Sequence, residues 1–222
     1  NLKGGVDFYL NDRATLTLSG TGGRYAFSQE GGSNLHEYTL PARFDRYISN
    51  RNISSREGNQ YNANISYQQK FNQEGTHKLD LLAYYANRNG DDMETQDEYL
   101  SNNGFTMQGE ILERIRTIET DQSDDYRFKA DYVRPAGANG RLEAGWQSLL
   151  ERESEDYRFE NFDPESGGWQ NNSLYSSSME YLHDVHAGYF TWAGKAGKLD
   201  FMAGLRAEYT NRSIDHAKVA EP

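Results

Sequence analysis

Apolar and polar residues alternate one by one along most of the chain. Residues 14–19 alternate Ala and Leu with Thr and Ser, and residues 199–210 alternate Leu, Phe, Ala and Tyr with mostly polar residues. Successive side chains of a β-strand point to opposite faces, so each such stretch predicts a strand with one apolar and one polar face. The residues expected on the apolar faces are Leu16, Leu18, Ala63, Ile65, Leu79, Leu81, Phe128, Ala130, Leu142, Ala144, Trp146, Phe201, Ala203, Leu205 and Ala207.

Two stretches fit the alternation less clearly. Residues 110–119 have apolar side chains at helical spacing, but a strand follows directly, so we expect an extended arm rather than a short helix. In residues 185–192 both alternate sets are apolar. We expect the apolar face there to consist of Val185, Ala187 and Tyr189, with Gly188, Phe190 and Trp192 as the alternative.

The connections between the strands alternate in length. Residues rich in Gly and Asn, which readily adopt the positive φ of tight hairpins, predict short turns. Long polar stretches separate these turns and predict loops. The predicted turns are at residues 11–13, 72–76, 135–140 and 194–198, and the predicted loops are residues 29–58, 89–124 and 161–178. We therefore expect an all-β fold, an antiparallel up-and-down meander of about eight long strands.

Short turns at one end and long loops at the other are typical of transmembrane β-barrels. Such barrels have short periplasmic turns, long external loops, an apolar outer face and a polar lumen. A soluble β-sandwich that acts as a binding module is the alternative, because its strands also alternate. Its loops are usually short at both ends, and its inner faces are richer in Val and Ile than the apolar positions here. The pattern favours a segment of a transmembrane β-barrel, in which we expect the fifteen apolar-face residues named above to face lipid.

Composition narrows the function classes. The 222 residues include 23 basic and 34 acidic side chains, and the resulting net charge of −11 argues against nucleic acid as a partner. Only 36% of the residues are hydrophobic, yet 13% are aromatic, which is unlike a disordered acidic chain. The chain has no Cys, which excludes disulfides and thiol chemistry. No apolar run is long enough to predict a transmembrane helix.

Several segments are similar to a known protein family. They are residues 127–135 (RFKADYVRP), 140–146 (GRLEAGW) and 203–210 (AGLRAEYT), with residues 69–71 and 186–189 in the same order along the chain. Together they resemble the outer-membrane β-barrel region of TonB-dependent receptors, in the branch common in Bacteroidetes-type bacteria. Each motif is short, and the ordered set with its turn spacing carries the resemblance.

The resemblance implies a large plugged barrel of about 22 strands in the outer membrane of a Gram-negative bacterium. Receptors of this kind import a bulky nutrient such as an iron complex, a glycan or a peptide. The implied partners are outer-membrane lipid, the nutrient ligand and the TonB energy-coupling complex, which acts through the plug region. The resemblance implies no cofactor and no catalysis.

Residues 1–222 show no plug-like segment, nothing similar to a TonB box and no closing aromatic residue. We therefore expect them to form a single segment of a larger barrel, with the plug and the remaining strands outside it. The isolated segment would have two free strand edges, through which it pairs with a copy or closes on itself. A complete small barrel that acts as an adhesin or membrane anchor is the alternative.

Three charged stretches have the composition of metal or catalytic sites. The carboxylates of residues 91–98 suit Ca²⁺, but they lack EF-hand spacing, and we expect a solvated external loop. His183 and His186 are three residues apart, so on a strand they face opposite sides and cannot share one ion. Residues 151–158 interleave carboxylates with Arg, which indicates a charged strand extension rather than a glycosidase pair. We expect no metal site and no catalytic residues.

Aromatic side chains in the predicted loops are candidate ligand contacts, because an aromatic ring can stack on a ligand such as a sugar. The same rings also suit packing between loops or the aromatic girdle at a membrane interface. The candidates are Tyr38, Phe44, Tyr47, Tyr99, Phe105, Tyr157 and Trp169.

Overall fold

The computed structural model describes residues 1–41, 43–137 and 139–218. In these ranges the chain forms β-strands and no helix. Ala138 of the predicted turn and residues 219–222 of the expected non-aromatic end lie outside the described residues. The strands are β1 (Leu2–Asn11), β2 (Ala14–Tyr38), β3 (Asp45–Lys70), β4 (Lys78–Ser101), β5 (Met107–Pro135), β6 (Arg141–Asp163), β7 (Gly168–Asn171), β8 (Ser177–Ala196) and β9 (Leu199–Lys218).

The strands form one antiparallel sheet in chain order. Strands β1 to β6, β8 and β9 are consecutive neighbours, and the four-residue β7 pairs with the end of β6. The expected meander of about eight long strands is therefore confirmed. The sheet is open, since β1 and β9 do not pair with each other in the described part of the chain. The small-barrel alternative requires that pairing.

The sheet is a single layer. Across the described ranges, the only buried apolar side chains are Ala14, Ile48 and Ala187. Leu205, in the middle of β9, is 81% exposed. A β-sandwich buries its apolar residues between two packed sheets, and nothing described here packs over this one. The sandwich alternative does not fit this fold.

The strand register assigns each predicted lipid-facing residue to the same face. Ile65 lies opposite Leu18 on one side and opposite Ala83 on the other, and Ala83 lies opposite Phe128. Directly paired residues share a face of the sheet. When these pairs are followed from β2 to β9, all fifteen candidates lie on one face. We call it the apolar face and its opposite the polar face.

The expected phase of β8 is wrong. Phe190 lies opposite Ala144, and Gly188 lies opposite Trp146, so these two residues and Trp192 are on the apolar face. The polar face carries the three residues that were expected to face lipid, namely Val185, Ala187 and Tyr189. The local sequence is apolar at both alternations, so the phase is set by the register of β8 against β6 and β9 instead.

The predicted long loops are wrong for most of their length, because those residues are paired strand. β2 and β3 remain in uninterrupted register from Ala14–Gln69 to Tyr38–Asp45, and the connection between them is residues 39–44. Residues 91–98 likewise lie within β4. β2 alone spans about 80 Å at about 3.3 Å per residue, far more than a membrane-crossing strand of about 9–11 residues requires. The sheet therefore continues past one membrane surface as long paired extensions, which we call the arms.

Opposite charges on neighbouring strands support the pairing of the arms at several positions. Arg46 lies opposite Glu37, and its Nη2 is 2.7 Å from Glu37 Oε2. Arg114 lies opposite Asp97, with 2.6 Å between Arg114 Nε and Asp97 Oδ1. Cross-strand pairs of this kind each contribute roughly 0.2–1 kcal/mol. The charged residues that suggested solvated loops are thus partners within the sheet.

Residues 110–119 are part of β5, so the expected extended arm is confirmed. The register between β4 and β5 shifts near Tyr99, and Gly109 has a φ of 80° in that region. A positive φ of this kind is one that glycine adopts at no steric cost. The extended conformation of residues 151–158 is also confirmed, since β6 continues to Asp163.

Aromatic rings lie directly over glycines on the polar face. Tyr189 covers Gly145 on the adjacent strand and donates a hydrogen bond to Asp131 Oδ1. A Cβ at Gly145 would be 2.2 Å from Tyr189 Cε1. In the arms, a Cβ at Gly58 would be 2.5 Å from the Tyr25 hydroxyl. Glycine is required at these positions because a tyrosine side chain from the neighbouring strand occupies the space that a Cβ atom would need.

We expect Gly145→Ala to lower the free energy of unfolding by about 1–3 kcal/mol, because the new methyl group displaces the Tyr189 ring. Denaturant unfolding of the membrane-inserted protein measures this change. Gly188→Ala is the matched control, since the nearest atom to its Cβ is 3.9 Å away. Adding Tyr189→Ala to Gly145→Ala should remove the clash between the new methyl group and the ring. An equal loss of unfolding free energy in Gly145→Ala and Gly188→Ala would contradict the requirement for glycine at position 145.

Candidate membrane-spanning surface and arm sites

Tyrosines cross the apolar face in a row on the arm side. Tyr61, Tyr85 and Tyr126 lie on three adjacent strands, with ring centroids 6.0 and 4.9 Å apart. The Tyr85 hydroxyl donates a hydrogen bond of 2.7 Å to Asp124 Oδ1. Each side chain therefore has an apolar body and a polar tip. This combination suits the boundary between hydrocarbon and water.

A second aromatic row lies on the turn side of the same face. Phe71, His77 and Tyr132 form a group with ring centroids between 4.5 and 6.3 Å apart. Further along the sheet, the Trp192 and Phe201 rings meet edge to face at 5.0 Å. Tyr126 and Tyr132 are six residues apart on β5, or about 20 Å along the strand. We call the two rows the arm-side ring and the turn-side ring.

Large apolar side chains between the rings are open to the surroundings. Ile65 is 50% exposed, Trp146 is 47% exposed and Phe190 is 49% exposed. An exposed apolar area of this extent indicates contact with a membrane or a partner. Two aromatic girdles flanking an apolar band are characteristic of the lipid face of an outer-membrane barrel. No helix of the described residues has the length and hydropathy to span a membrane.

The polar face at the same height carries paired charges. Asp80 accepts hydrogen bonds of 2.8 Å from Gln68 and 2.7 Å from Lys78. Asp131 accepts from Tyr189 and lies 2.7 Å from Lys129 Nζ. Charged groups of this kind are stable beside water or partners and unfavourable in hydrocarbon. The two faces are therefore suited to lipid on one side and a wet interior on the other.

Several candidate ligand-contact residues meet near the tips of the arms. His36 stacks on Tyr47 with centroids 4.1 Å apart and an interplanar angle of 4°, and Tyr38 lies 5.1 Å from His36. The Phe105 ring meets Tyr47 edge to face at 5.5 Å. Phe44 is in the connection before β3, with the Arg46 guanidinium 5.5 Å from its ring centroid. The rings therefore have partners within the arms.

Trp169 lies in β7, apart from that cluster. Its ring meets Phe162 edge to face at 5.5 Å, and the Arg116 guanidinium lies 4.4 Å from its centroid. Arg116 also donates a hydrogen bond of 2.7 Å from Nε to Glu160 Oε2. A cation held between a ring and a carboxylate fixes the β7 segment against β5 and β6. The contacts of Trp169 therefore contribute to the structure of the protein.

Tyr99 and Tyr157 lie on different faces. Tyr99 donates a hydrogen bond of 3.1 Å to Asp97 Oδ2 on the apolar face of the arm. Tyr157 is on the polar face, opposite Glu119. Burial raises the pKa of the Tyr157 hydroxyl, and the nearby Glu119 and Glu94 raise it further.

The face assignment separates the candidates. Tyr157 alone is on the polar face of the arms, Phe44 and Phe105 lie in connections, and the other four are on the apolar face. A closed barrel with its apolar face outward would direct only the polar face into the lumen. These clusters also include His36, Arg116 and Phe162. The alternation of apolar and polar residues does not identify these three, because their contacts depend on strand register.

The stretches considered for metal or catalytic chemistry are paired structurally. His183 lies 2.7 Å from Glu151 Oε2 on the polar face, and His186 contacts Ser148 on the apolar face, so the predicted opposite orientation is confirmed. No group of three or more His, Asp or Glu in the described ranges is placed to hold a metal ion. These side chains act in the sheet as cross-strand partners.

Residues 69–221 match the model of a protein family described as outer membrane protein beta-barrel family. The match covers more than two thirds of the chain and includes β4 to β9. No curated protein matches the chain significantly.

The apolar face provides a direct test of lipid contact. We expect Ile65→Arg to lower the free energy of unfolding in a bilayer by about 2–4 kcal/mol, because it places a charge near the middle of the lipid face. Ser66→Arg is the matched control, one residue along and on the polar face, opposite Thr17 and Leu82. Denaturant titration of the protein in lipid vesicles measures both, and equal losses would contradict this orientation.

The half-buried Glu119 predicts a pH dependence of the arms. Burial raises its pKa above the ordinary 4.5, as do Glu155, Asp92 and Asp121, while Arg56 opposes them. Glu119 loses its proton less readily in the paired arm than in a locally unfolded arm. Its ionisation therefore destabilises the paired arm as the pH rises from the ordinary pKa through the raised one. Below the ordinary pKa the carboxyl is protonated in both forms of the arm, and the destabilisation disappears.

We therefore expect Glu119→Gln to slow hydrogen exchange of the arm amides at neutral pH by about twofold, since solvent screening limits the effect to about 0.5 kcal/mol. Below about pH 4 the variant and the original protein should exchange equally. Hydrogen-exchange mass spectrometry measures both. Glu165→Gln, in an exposed turn, is the control, and faster exchange in Glu119→Gln at neutral pH would contradict the assignment.

Proposed function

Because the chain belongs to the outer membrane protein beta-barrel family, and so resides in the outer membrane of a Gram-negative bacterium, we propose that it forms part of the wall of a TonB-dependent receptor that imports a bulky nutrient. The nutrient class is an iron complex, a glycan or a peptide. Transport without catalysis is the proposed role. The ordered segments that resemble those of TonB-dependent receptors support the proposal, together with the spacing of the turns between them.

The observation that carries the proposal is the open sheet with one lipid-type face. In the described part of the chain, β1 pairs only with β2 and β9 pairs only with β8, so the outer edge of each is a row of unpaired backbone groups. Unpaired backbone groups are strongly unfavourable in hydrocarbon, so both edges require further strands. A wall section of a larger barrel meets this requirement, and a larger barrel has room for a plug and a bulky ligand.

The polar face would line the lumen of that barrel. Its arm section carries Tyr157, and we propose this residue as a ligand contact. Tyr38, Tyr47, Tyr99 and Trp169 would lie on the outer side of the barrel above the membrane, and packing of the arms accounts for them. Phe44 and Phe105 remain candidates at the arm tips. Energy would come from the TonB complex through the plug region of the full-length protein.

Uptake by the full-length protein in its own bacterium tests the proposal. We expect deletion of the gene to abolish uptake of one labelled iron complex, glycan or peptide, and the full-length gene to restore it. Restored uptake should require TonB, because closed plugged barrels need energy to open. Uptake that continues without TonB, or no change in any of the three classes after deletion, would contradict the proposal.

The two faces supply matched variants for a binding assay. Tyr157→Ala should weaken binding of the nutrient by about tenfold, as expected for the loss of one aromatic contact of about 1.4 kcal/mol. Trp169→Ala, on the outer side, should leave binding within about twofold. Equilibrium binding to purified protein measures both, and the reverse order would contradict the lumen assignment.

A further inference from the structure

Charge is distributed unevenly between the two ends of the sheet. The four turn segments, residues 11–13, 70–78, 134–141 and 194–200, contain seven Lys or Arg and three Asp or Glu, a balance of +4. Because the net charge of the whole chain is −11, the residues outside these segments carry a net charge of −15. The turn end is positive and the arms are strongly negative.

Four of the cations at the turn end are free of carboxylate partners. Lys78, Arg141 and Lys195 pair with Asp80, Glu143 and Asp200 respectively. Arg13, Lys70, Arg134 and Lys198 are exposed, and in the described part of the chain no carboxylate lies within ion-pair distance of them. We call these four residues the basic collar.

The collar lies beside the turn-side ring. Arg134 is on the apolar face, opposite Leu142 and two residues from Tyr132. Lys70 precedes Phe71, and Lys198 precedes β9, whose third residue is Phe201. A cavity of about 550 Å³ opens next to Phe201, lined also by Asn139, Gly194 and Arg141. Its volume lies within the range of small-molecule sites.

We propose that the basic collar binds the headgroups of anionic glycerophospholipids in the inner leaflet of the outer membrane. The cations lie at the depth of the headgroups when the aromatic ring lies at the hydrocarbon boundary, and short turns are on the periplasmic side of such barrels. Clustered Lys and Arg at a membrane surface attract anionic lipids. Charge complementarity selects this leaflet, because the acidic arms would repel the phosphates of the outer one.

Anionic lipid at the collar would also orient the chain. The negative surface holds the basic turns, and the acidic arms lie on the opposite side of the membrane. The inference rests on family membership and on the apolar face, and it is independent of TonB-dependent import. A failed uptake experiment would therefore leave it intact.

Lipid selectivity of the full-length protein in bilayers tests the proposal. Spin-labelled phosphatidylglycerol and phosphatidylcholine report their relative association with the protein surface. We expect phosphatidylglycerol to be preferred by about fivefold at about 0.05 M salt, and the preference to shrink at about 0.5 M salt because the charges are screened. Equal association of the two lipids would overturn the proposal.

Matched charge variants locate the effect. The variant with Arg13→Gln, Lys70→Gln, Arg134→Gln and Lys198→Gln should associate with the two lipids equally to within about twofold. The control, with Arg24→Gln, Arg43→Gln, Arg51→Gln and Arg158→Gln in the arms, should keep the preference. An unchanged preference in the collar variant, or an equal loss in the control, would overturn the assignment.

Two further measurements keep the test decisive. If the fourfold variant does not assemble, Arg134→Gln alone should reduce the preference for phosphatidylglycerol, and Arg134→Lys should retain it. An equal preference in these two variants would count against a charge contact at this position. Inorganic phosphate at constant ionic strength should leave the lipid preference unchanged. Loss of the lipid preference in phosphate would show that the collar is a general anion site, and it would overturn the proposal that the collar binds lipid headgroups.

Discussion

Backbone hydrogen bonding between neighbouring strands is the constraint on which the whole structure depends. In hydrocarbon each N–H and C=O must be paired within the protein, and an antiparallel meander pairs them strand to strand. β2 illustrates the result, since every residue from Ala14 to Tyr38 has a partner on β3. A sheet held in this way needs no packed core. The shortage of buried apolar side chains is therefore a property of the fold and not a defect in it.

The same pairing produces the two faces and gives each its chemistry. Fixed register aligns Leu18, Ile65, Ala83 and Phe128 in one row, so an apolar surface forms from residues that are distant in sequence. The alternate row carries residues such as Lys129, which need water or partners. Aromatic rings mark where the surroundings of the apolar face change from hydrocarbon to water. This partition suits one face to contact with the membrane and the other to contact with water or protein partners.

The arms extend this principle beyond the membrane. Pairing continues past the arm-side ring, where cross-strand ion pairs such as that of Arg114 with Asp97 accompany the backbone hydrogen bonds. These arms are acidic, whereas the turns are basic, so the two ends of one sheet meet different surroundings. The polar face of the arms carries Tyr157 and Glu119, which lie opposite each other on neighbouring strands. The apolar face of the arms is occupied by ring and guanidinium contacts, for example Arg116 against Trp169.

Alternation and turn chemistry are local properties, so the sequence was enough to predict the strand class, the order of the strands, the turn end and the apolar face of most strands. It also favoured an extended conformation for residues 110–119. The folded sheet was needed to establish the phase of β8, the pairing of the stretches expected to be loops, and the face on which each candidate aromatic residue lies. Those features depend on register between strands, which joins residues such as Tyr38 and Asp45, or Ala144 and Phe190. A one-residue shift of register reverses every side chain of a strand, and no local pattern in an apolar or uniformly polar stretch can fix it.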